Sequence, residues 1–349
     1  MKLVTLFALS VASVLILSGC AGTHPQPVAS SAPPVAHHPE VPAGHIVFRR
    51  FLDVSETTGA LFETDTDGNH EVQLTHPHTG EVDGEPDWSP DGTKILFSKL
   101  VNGGNNQDPN QPETHQIVEI NADGSGSKDL TVAKPPSGQL SFNDQAVYSP
   151  DGKSIAYTHG DGVLGTQQLT NTGVYIMNAD GSAPHEVVAM GQYAADLNGP
   201  VWSPDGRQLL FNVINSGTGK PSGGRAFFIV NSDGTGSHQL TAWNSGSDGF
   251  PDWSASGLIV FRIALDEESG VGNFFTIHPD GTGLTQVTKL ANKAVSNKAS
   301  FSPDGNWITF AAQTDSGMQI MVSRLDGTSS YVVDPSKRGS SAPDWSPSG

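Results

Sequence analysis

Cysteine is almost absent from this sequence, which has Cys20 as its single cysteine in 349 residues. A disulfide framework within the chain is therefore excluded, and the part after residue 20 has no thiol for catalysis or metal binding. Basic residues are also scarce, with 18 Lys and Arg against 36 Asp and Glu and a formal net charge of −18. Because nucleic-acid binding needs a basic face, this charge argues against a nucleic-acid partner.

Long apolar runs are missing except at the N-terminus, where residues 3–17 read LVTLFALSVASVLIL. A short apolar run before small residues is typical of a secretory signal. The LSGC that ends at Cys20 resembles the lipobox of bacterial lipoproteins. We therefore predict a signal peptide over residues 1–19 and a lipidated Cys20. The protein would then be held in the cell envelope, outside the cytoplasm, on the periplasmic face of a membrane or on the cell surface. The alternative is an uncleaved membrane anchor with an incidental cysteine.

Residues 20–43 lack the large apolar side chains that a folded segment buries, and they contain six prolines. Such a composition predicts a disordered, extended tether rather than a domain. The segment would connect the lipid at Cys20 to a folded domain over residues 44–349.

A repeated phrase dominates that domain. In its fullest form it reads PDWSPDGTKILF, and its aromatic residue followed by serine recurs in phase at Trp88, Tyr148, Trp202, Trp253, Phe301 and Trp345. A second phrase alternates with it, as in IVEINADGSGSKDLT, where an apolar strand leads into an Asp-Gly turn and a short strand. Asp-Gly and Ser-Pro-Asp-Gly are strong turn signals. Each unit therefore holds four short antiparallel strands, A to D, and the sequence predicts an all-β, six-bladed β-propeller.

The two ends of the domain complement each other. The chain ends on PDWSPSG, which is a strand A and its turn without a strand B, whereas GHIVFRR at residues 44–50 is a strand B without a strand A. The spacing of GHIVFRR matches GLIVFRI at residues 257–263. We therefore predict that N-terminal and C-terminal strands pair in one blade and close the ring, which removes exposed sheet edges.

The phrases PDWSPDGTKILF and PVWSPDGRQLLF resemble the repeats of TolB-like β-propellers, also called PD40 or WD40-like repeats, over residues 44–349. The resemblance implies a propeller that works in cell-envelope organisation and binds a protein partner, as TolB binds a peptidoglycan-associated lipoprotein. TolB has a separate α/β domain before its propeller, where this chain has only the predicted tether. Oligogalacturonate lyases also resemble this repeat class, and they use a metal bound by histidines.

Loop lengths indicate which face of the propeller binds. The A–B and C–D turns are short and uniform, whereas the B–C and D–A connections are long and variable, so recognition is expected on the second face. The D–A connections would bring acidic and amide residues and one lysine to the channel mouth: Asp83, Glu85, Asn143, Asp144, Asp196, Asn198, Asp248, Asn297 and Lys298. A ligand funnel is one interpretation, and capping of the loop backbone is the other. Trp243 lies outside the repeat position and is a further candidate, either as a binding anchor or as a packing residue of its loop.

The sequence shows no catalytic constellation, since a G-x-S-x-G elbow is missing and the two His-Glu-Val phrases do not continue to H-E-x-x-H. His76 and His78 share one loop and are more typical of a solvated loop than of a metal site. We therefore predict a monomeric, lipid-anchored binding propeller that needs no cofactor and recognises a protein or peptide in the cell envelope. A metal-dependent, carbohydrate-active enzyme and a structural module of a surface assembly are the alternatives.

Overall fold

The computed structural model describes residues 40–101, 113–132, 134–136, 138–163, 168–193, 196–214, 224–266, 269–334, 336 and 338–347. The predicted signal peptide, Cys20 and most of the predicted tether lie outside the described residues, as do the side chains of Asp196 and Asn198. Within the described part the chain is all-β, with one 3-10 turn at Met190–Gln192. No helix of this part has the length and hydropathy needed to cross a bilayer.

The strands of the first half follow one another at short intervals. They are β1 His45–Phe51, β2 Gly59–Asp65, β3 Val72–Gln73, β4 Val82–Trp88, β5 Lys94–Val101, β6 Glu113–Asn121, β7 Lys128–Asp129, β8 Gln139–Tyr148, β9 Ser154–Val163, β10 Gln168–Asn178, β11 His185–Ala189 and β12 Asp196–Trp202. Those of the second half are β13 Gln208–Ile214, β14 Arg225–Asn231, β15 His238–Gln239, β16 Ser247–Trp253, β17 Ile259–Asp266, β18 Val271–Ile277, β19 Thr285–Gln286, β20 Val295–Phe301, β21 Trp307–Thr314, β22 Gly317–Arg324, β23 Ser330–Val332 and β24 Ser340–Trp345.

The strands pair antiparallel in groups of four, which we call units. Strands β4 to β7, β8 to β11, β12 to β15, β16 to β19 and β20 to β23 each form one unit in chain order. Short parallel pairings join neighbouring units, for example Gly59 beside Val82. The A–B and C–D turns lie at one end of every unit, which we call the short-turn face. The B–C and D–A connections lie at the other end, the loop-rich face.

The remaining unit is assembled from both ends of the chain. Strand β24 pairs antiparallel with β1, so that Trp345 lies opposite Ile46, and β2 and β3 complete the unit. The Ser346 N–H donates to the His45 carbonyl at 2.8 Å, and the His45 N–H donates to Ser346 Oγ at 3.0 Å. Ser89 and Lys94 make the same two bonds, both at 2.9 Å, across an intact Ser-Pro-Asp-Gly turn. The junction of the chain ends therefore reproduces an internal turn in which the chain is interrupted.

The repeated aromatic residues pack between one unit and the next, as their fixed position predicts. Trp88 is buried with Val47 of the preceding unit and Val118 of its own. Trp345 is buried with Trp307 of the preceding unit and Ile46 of its own. These rings supply large apolar contact areas that hold neighbouring units together.

The recurring polar residues of the repeat stabilise turns and strand ends. Asp91 Oδ1 accepts a hydrogen bond from Ser89 Oγ at 2.7 Å inside the Ser-Pro-Asp-Gly turn. The threonine that ends strand D binds the middle of strand C, because Thr131 Oγ1 accepts the Ile117 N–H at 2.9 Å. The small polar residues of the repeat thus satisfy backbone groups that would otherwise be left unpaired.

Candidate functional site along the inner strands

The inner strands are the A strands β4, β8, β12, β16, β20 and β24, and side chains link several of them directly. The residue before the repeated aromatic accepts the backbone N–H of the aromatic in the next unit. These bonds run from Tyr148 to Asp87 at 2.9 Å, from Phe301 to Asp252 at 2.7 Å, from Trp345 to Ser300 at 3.2 Å and from Trp88 to Asp344 at 2.9 Å. The last of these bonds joins the C-terminal strand to the first complete unit.

Lys298 lies among the carboxyl groups that the inner strands bring together. Its Nζ donates to the Pro86 carbonyl at 2.5 Å and lies 3.9 Å from Asp344 Oδ1. Burial raises the pKa of Asp252 to about 6 and that of Asp87 well above its ordinary value. The ammonium of Lys298 opposes both shifts, so it is the counter-charge of this central group.

Sequence reasoning selected Lys298 and missed the aspartates beside it. The missed residues are Asp87, Asp252 and Asp344. A signal for them was present, since each precedes the aromatic in a Pro-Asp-Trp phrase. The repeat explains the presence of this aspartate, but not the Lys298 ammonium that acts on each of the three carboxyl groups.

Arg49 is a second residue that the loop pattern did not reveal, because it comes from the B strand β1. It lies opposite Ser341 in the β1–β24 register, and its Nη2 donates to Ser341 Oγ at 2.6 Å. Its guanidinium is stacked on Phe51, with Cζ 4.9 Å from the ring centroid. A Cβ at Gly84 would lie 3.1 Å from Arg49 Cδ and Nη1, so the absent side chain there leaves room for the guanidinium. Arg49 therefore lies at the loop-rich end of the inner strands.

Charges near Arg49 come from several elements. Glu85 and Asp144, both predicted site residues, interact electrostatically with its guanidinium, as does Glu56. Burial lowers the pKa of Arg49 by more than these carboxylates raise it. Glu85 has φ +49° at a bulge of β4, and burial raises the pKa of its carboxyl.

Asp144 is bound mainly by a histidine. His115 Nδ1 lies 3.1 Å from Asp144 Oδ2, and His115 Nε2 lies 3.2 Å from Glu113 Oε1. Burial alone would lower the pKa of His115, but the hydrogen bonds to Asp144 and Glu113 raise it to about 9. His115 is therefore a cation at neutral pH. Asn143 contacts another histidine, with its Oδ1 3.0 Å from His159 Nδ1.

Asp248 and Trp243 lie apart from this group. Asp248 forms ion pairs with Arg225 and Arg262, the latter at 3.5 Å. Trp243 is half-buried and packs on Phe228, with ring centroids 5.8 Å apart. This contact is of the kind expected if Trp243 is a packing residue of its loop.

Asn297, another predicted site residue, packs its backbone against Gly249, which follows Asp248. A Cβ at Gly249 would lie 2.1 Å from the Asn297 carbonyl oxygen, so the two chain segments approach too closely for a side chain there. Gly249 also has φ +88°, which an L residue rarely adopts.

Asp83, another predicted site residue, is buried at the start of β4 and is 3% exposed. Its register partner is Lys99. Burial raises the pKa of Asp83 from 3.8 to about 6, against the opposing hydrogen bond of Thr75. Because the folded protein holds this proton to a higher pH than the unfolded chain does, the contribution of Asp83 to stability falls as pH rises from about 4 to about 6.

We expect Asp83→Asn to flatten this part of the stability profile. The fall in the free energy of unfolding between about pH 4 and pH 6 should shrink by up to about 3 kcal/mol, measured by urea unfolding at each pH. Asp151→Asn is the control, because the hydrogen bond from Ser149 lowers the pKa of this exposed turn carboxyl. Its contribution is lost only as pH falls below about 4. An unchanged profile in Asp83→Asn would contradict the assignment.

Two other features of the described residues do not form a comparable site. No group of three or more His, Cys, Asp or Glu side chains there is arranged to hold a metal ion, and His78 is exposed with Nδ1 3.3 Å from Glu81. A groove of about 560 Å³ lies on the short-turn face. Its buried Glu119 already binds Lys94 Nζ at 2.5 Å and Tyr148 Oη at 2.8 Å, so the groove offers a satisfied carboxylate.

Comparison with known proteins shows the fold. No family model matches the chain. The uncharacterised protein Atu1656 of Agrobacterium fabrum is 27% identical over 153 residues, which are 43% of this chain and 46% of that protein. The alignment thus spans less than half of that relative.

Solved structures extend the likeness to most of the chain. TolB from Acinetobacter baumannii has a TM-score of 0.63 at 17% identity, covering 87% of this chain and 66% of that one. A putative TolB from Agrobacterium tumefaciens has a TM-score of 0.56 at 16% identity, covering 83% and 88%. Hydrazine synthase of Kuenenia stuttgartiensis has a TM-score of 0.64 at 13% identity, covering 88% and 47%. The chain therefore has a TolB-like β-propeller fold, and fold alone does not select among functions.

Proposed function

We propose that the units are the six blades of a closed propeller and that the protein is a non-enzymatic binding protein. It would be lipid-anchored at Cys20, outside the cytoplasm, and act as a monomer. Its loop-rich face would recognise a protein or peptide partner in the cell envelope. The bonds of Trp88 to Asp344 and of His45 to Ser346 support the closure, because they join the last strand to the first units.

Exposed apolar side chains on the loop-rich face carry the proposal of a protein partner. Val54 lies in a B–C connection, Leu265 lies next to the last residue of β17, Val132 lies in a D–A connection and Val163 ends β9. Val54 is fully exposed and Leu265 is 64% exposed. Four of the six exposed large apolar side chains of the described residues thus lie on this face, and exposed apolar surface is a mark of protein interaction sites.

The described end of the predicted tether lies on the opposite side of the domain. Thr66 lies in the turn between β2 and β3, in the unit assembled from both chain ends. Its N–H donates to the Gly44 carbonyl at 3.1 Å, and its Oγ1 donates to the Pro42 carbonyl at 3.0 Å. Residues 42–44 therefore lie on the short-turn face and leave the loop-rich face uncovered by this segment.

The test replaces matched side chains on the two faces. We expect Val54→Glu with Leu265→Glu to abolish recovery of the partner from envelope extract, because the new charges would be desolvated in the interface. Val72→Glu with Leu284→Glu is the control, since both residues are exposed on the short-turn face. Equal recovery with both double variants would reject the loop-rich face as the binding surface.

A further inference from the structure

Two arginines occupy equivalent positions in different units but have different partners. Arg49 in IVFRR and Arg262 in IVFRI are the fourth residues of matching phrases in two B strands. Arg262 lies opposite Asp248 in its register and forms an ion pair with it at 3.5 Å. Arg49 lies opposite Ser341, which has no charge to offer. Where one unit supplies a carboxylate from the inner strand, the other supplies a hydroxyl.

The contacts of Arg49 leave much of its guanidinium unused. Its side chain is almost fully buried, with the residue 7% exposed. Its Nε has no hydrogen-bond partner, and no ion pair within 4 Å involves it among the described residues. The neighbouring Arg50, equally buried, binds both Glu71 and Asp334. A buried cation with a single hydroxyl partner lacks the compensation that buried charges ordinarily have.

The neighbouring carboxylates form no ion pair within 4 Å with Arg49 among the described residues. Asp144 is held by His115, and Glu85 and Glu56 interact with the guanidinium only at longer range. The guanidinium is fixed between Gly59 and Gly84, since a Cβ at either glycine would come within 3.3 Å of it or its stem. Its planar fork is thus positioned for one more acceptor, and a carboxylate matches that fork in shape and charge.

We propose that Arg49 is a carboxylate-binding subsite at the loop-rich end of the inner strands. The incoming carboxylate takes the place relative to Arg49 that Asp248 takes relative to Arg262. This inference rests on the proposed binding function and specifies the chemistry of the partner, which presents either a chain-terminal carboxylate or an acidic side chain.

Three blocked peptides distinguish the two sources. They are acetyl-Gly-Gly-Gly with a free carboxylate, acetyl-Gly-Asp-Gly-amide and the neutral acetyl-Gly-Gly-Gly-amide. Each is titrated into the ¹⁵N-labelled full-length protein in detergent, and the Nε–Hε signal of Arg49 is followed. We expect saturable shifts with one or both acidic peptides and none with the neutral peptide. Equal shifts with the neutral peptide, or no shift with any of them, would overturn the proposal.

Variants test whether Arg49 itself binds the carboxylate, with affinity measured by calorimetry. Arg49→Gln should weaken binding by at least about tenfold, as expected for loss of a charged hydrogen bond. Ser341→Asp should abolish binding while raising the melting temperature, because it supplies the internal partner that Arg262 already has. Arg207→Gln, which removes an exposed charge on the short-turn face, should bind as the wild type does. Wild-type affinity in Ser341→Asp would contradict the proposal even if Arg49→Gln folds poorly.

These results are independent of the search for a partner. Carboxylate binding at Arg49 together with partner recovery by the Val54 and Leu265 double variant would keep the subsite and reject the proposed interface. If the Val54 and Leu265 double variant loses the partner and no peptide carboxylate binds at Arg49, the proposed interface is kept and the subsite is rejected.

Discussion

Deletion of residues 343–349 is expected to unfold the domain. The deletion removes Trp345 from the apolar cluster that it shares with Ile46 and Trp307, and it removes the Asp344 carboxylate from the Trp88 N–H. Loss of one buried tryptophan alone costs about 3–5 kcal/mol, and a whole domain is stabilised by only about 5–15 kcal/mol. Near-ultraviolet circular dichroism and thermal unfolding measure the effect.

Two control proteins make the test specific. Deletion of residues 347–349 keeps the bonds between Ser346 and His45, and its melting temperature should equal that of the full chain. A circular permutant that joins Ser346 to His45 through Pro-Asp-Gly-Thr restores the spacing from Ser89 to Lys94 and opens the chain between Gly206 and Arg207. This permutant should also fold. A wild-type melting temperature after deletion of residues 343–349 would reject the closure model.

Arg50→Met and Arg49→Met are expected to differ sharply in stability, although the arginines are adjacent and equally buried. Arg50 Nη1 donates to Glu71 Oε1 at 2.7 Å and Nη2 to Asp334 Oδ1 at 2.6 Å. Its removal leaves Asp334, which has no exposed surface, with an uncompensated charge. Breaking a buried ion pair from one side costs about 3–5 kcal/mol.

Arg49→Met should change the free energy of unfolding by less than about 1 kcal/mol, or raise it. The substitution removes a hydrogen bond to Ser341 and also the cost of burying a poorly compensated charge. Urea unfolding of the two variants under identical conditions provides the comparison. If Arg49→Met loses as much stability as Arg50→Met, Arg49 is a structural counter-ion for Glu85 and Asp144, and the premise of the carboxylate subsite fails.

The loop-rich end of the inner strands was only partly predictable. Lys298 and Glu85 were found because they precede the repeated aromatic by three residues. Asp248, five residues before Trp253, is neutralised by Arg225 and Arg262. The loop pattern could not show this, because those arginines come from a B strand and a C strand and not from the loops, and strand pairing brings them to Asp248.

The sequence by itself determined the strands, their turns and the match between the chain ends. These features depend on short-range chemistry, in which Asp-Gly and Ser-Pro-Asp-Gly set the turns and alternating apolar residues set the strands. Only the tertiary structure decided which buried charges are compensated. Arg49 and Arg262 stand in nearly identical phrases, yet one lies opposite Ser341 and the other opposite Asp248. Coulomb energy depends on the distance between groups in space, and strand pairing sets that distance across nearly 300 residues of chain in one case and 14 in the other.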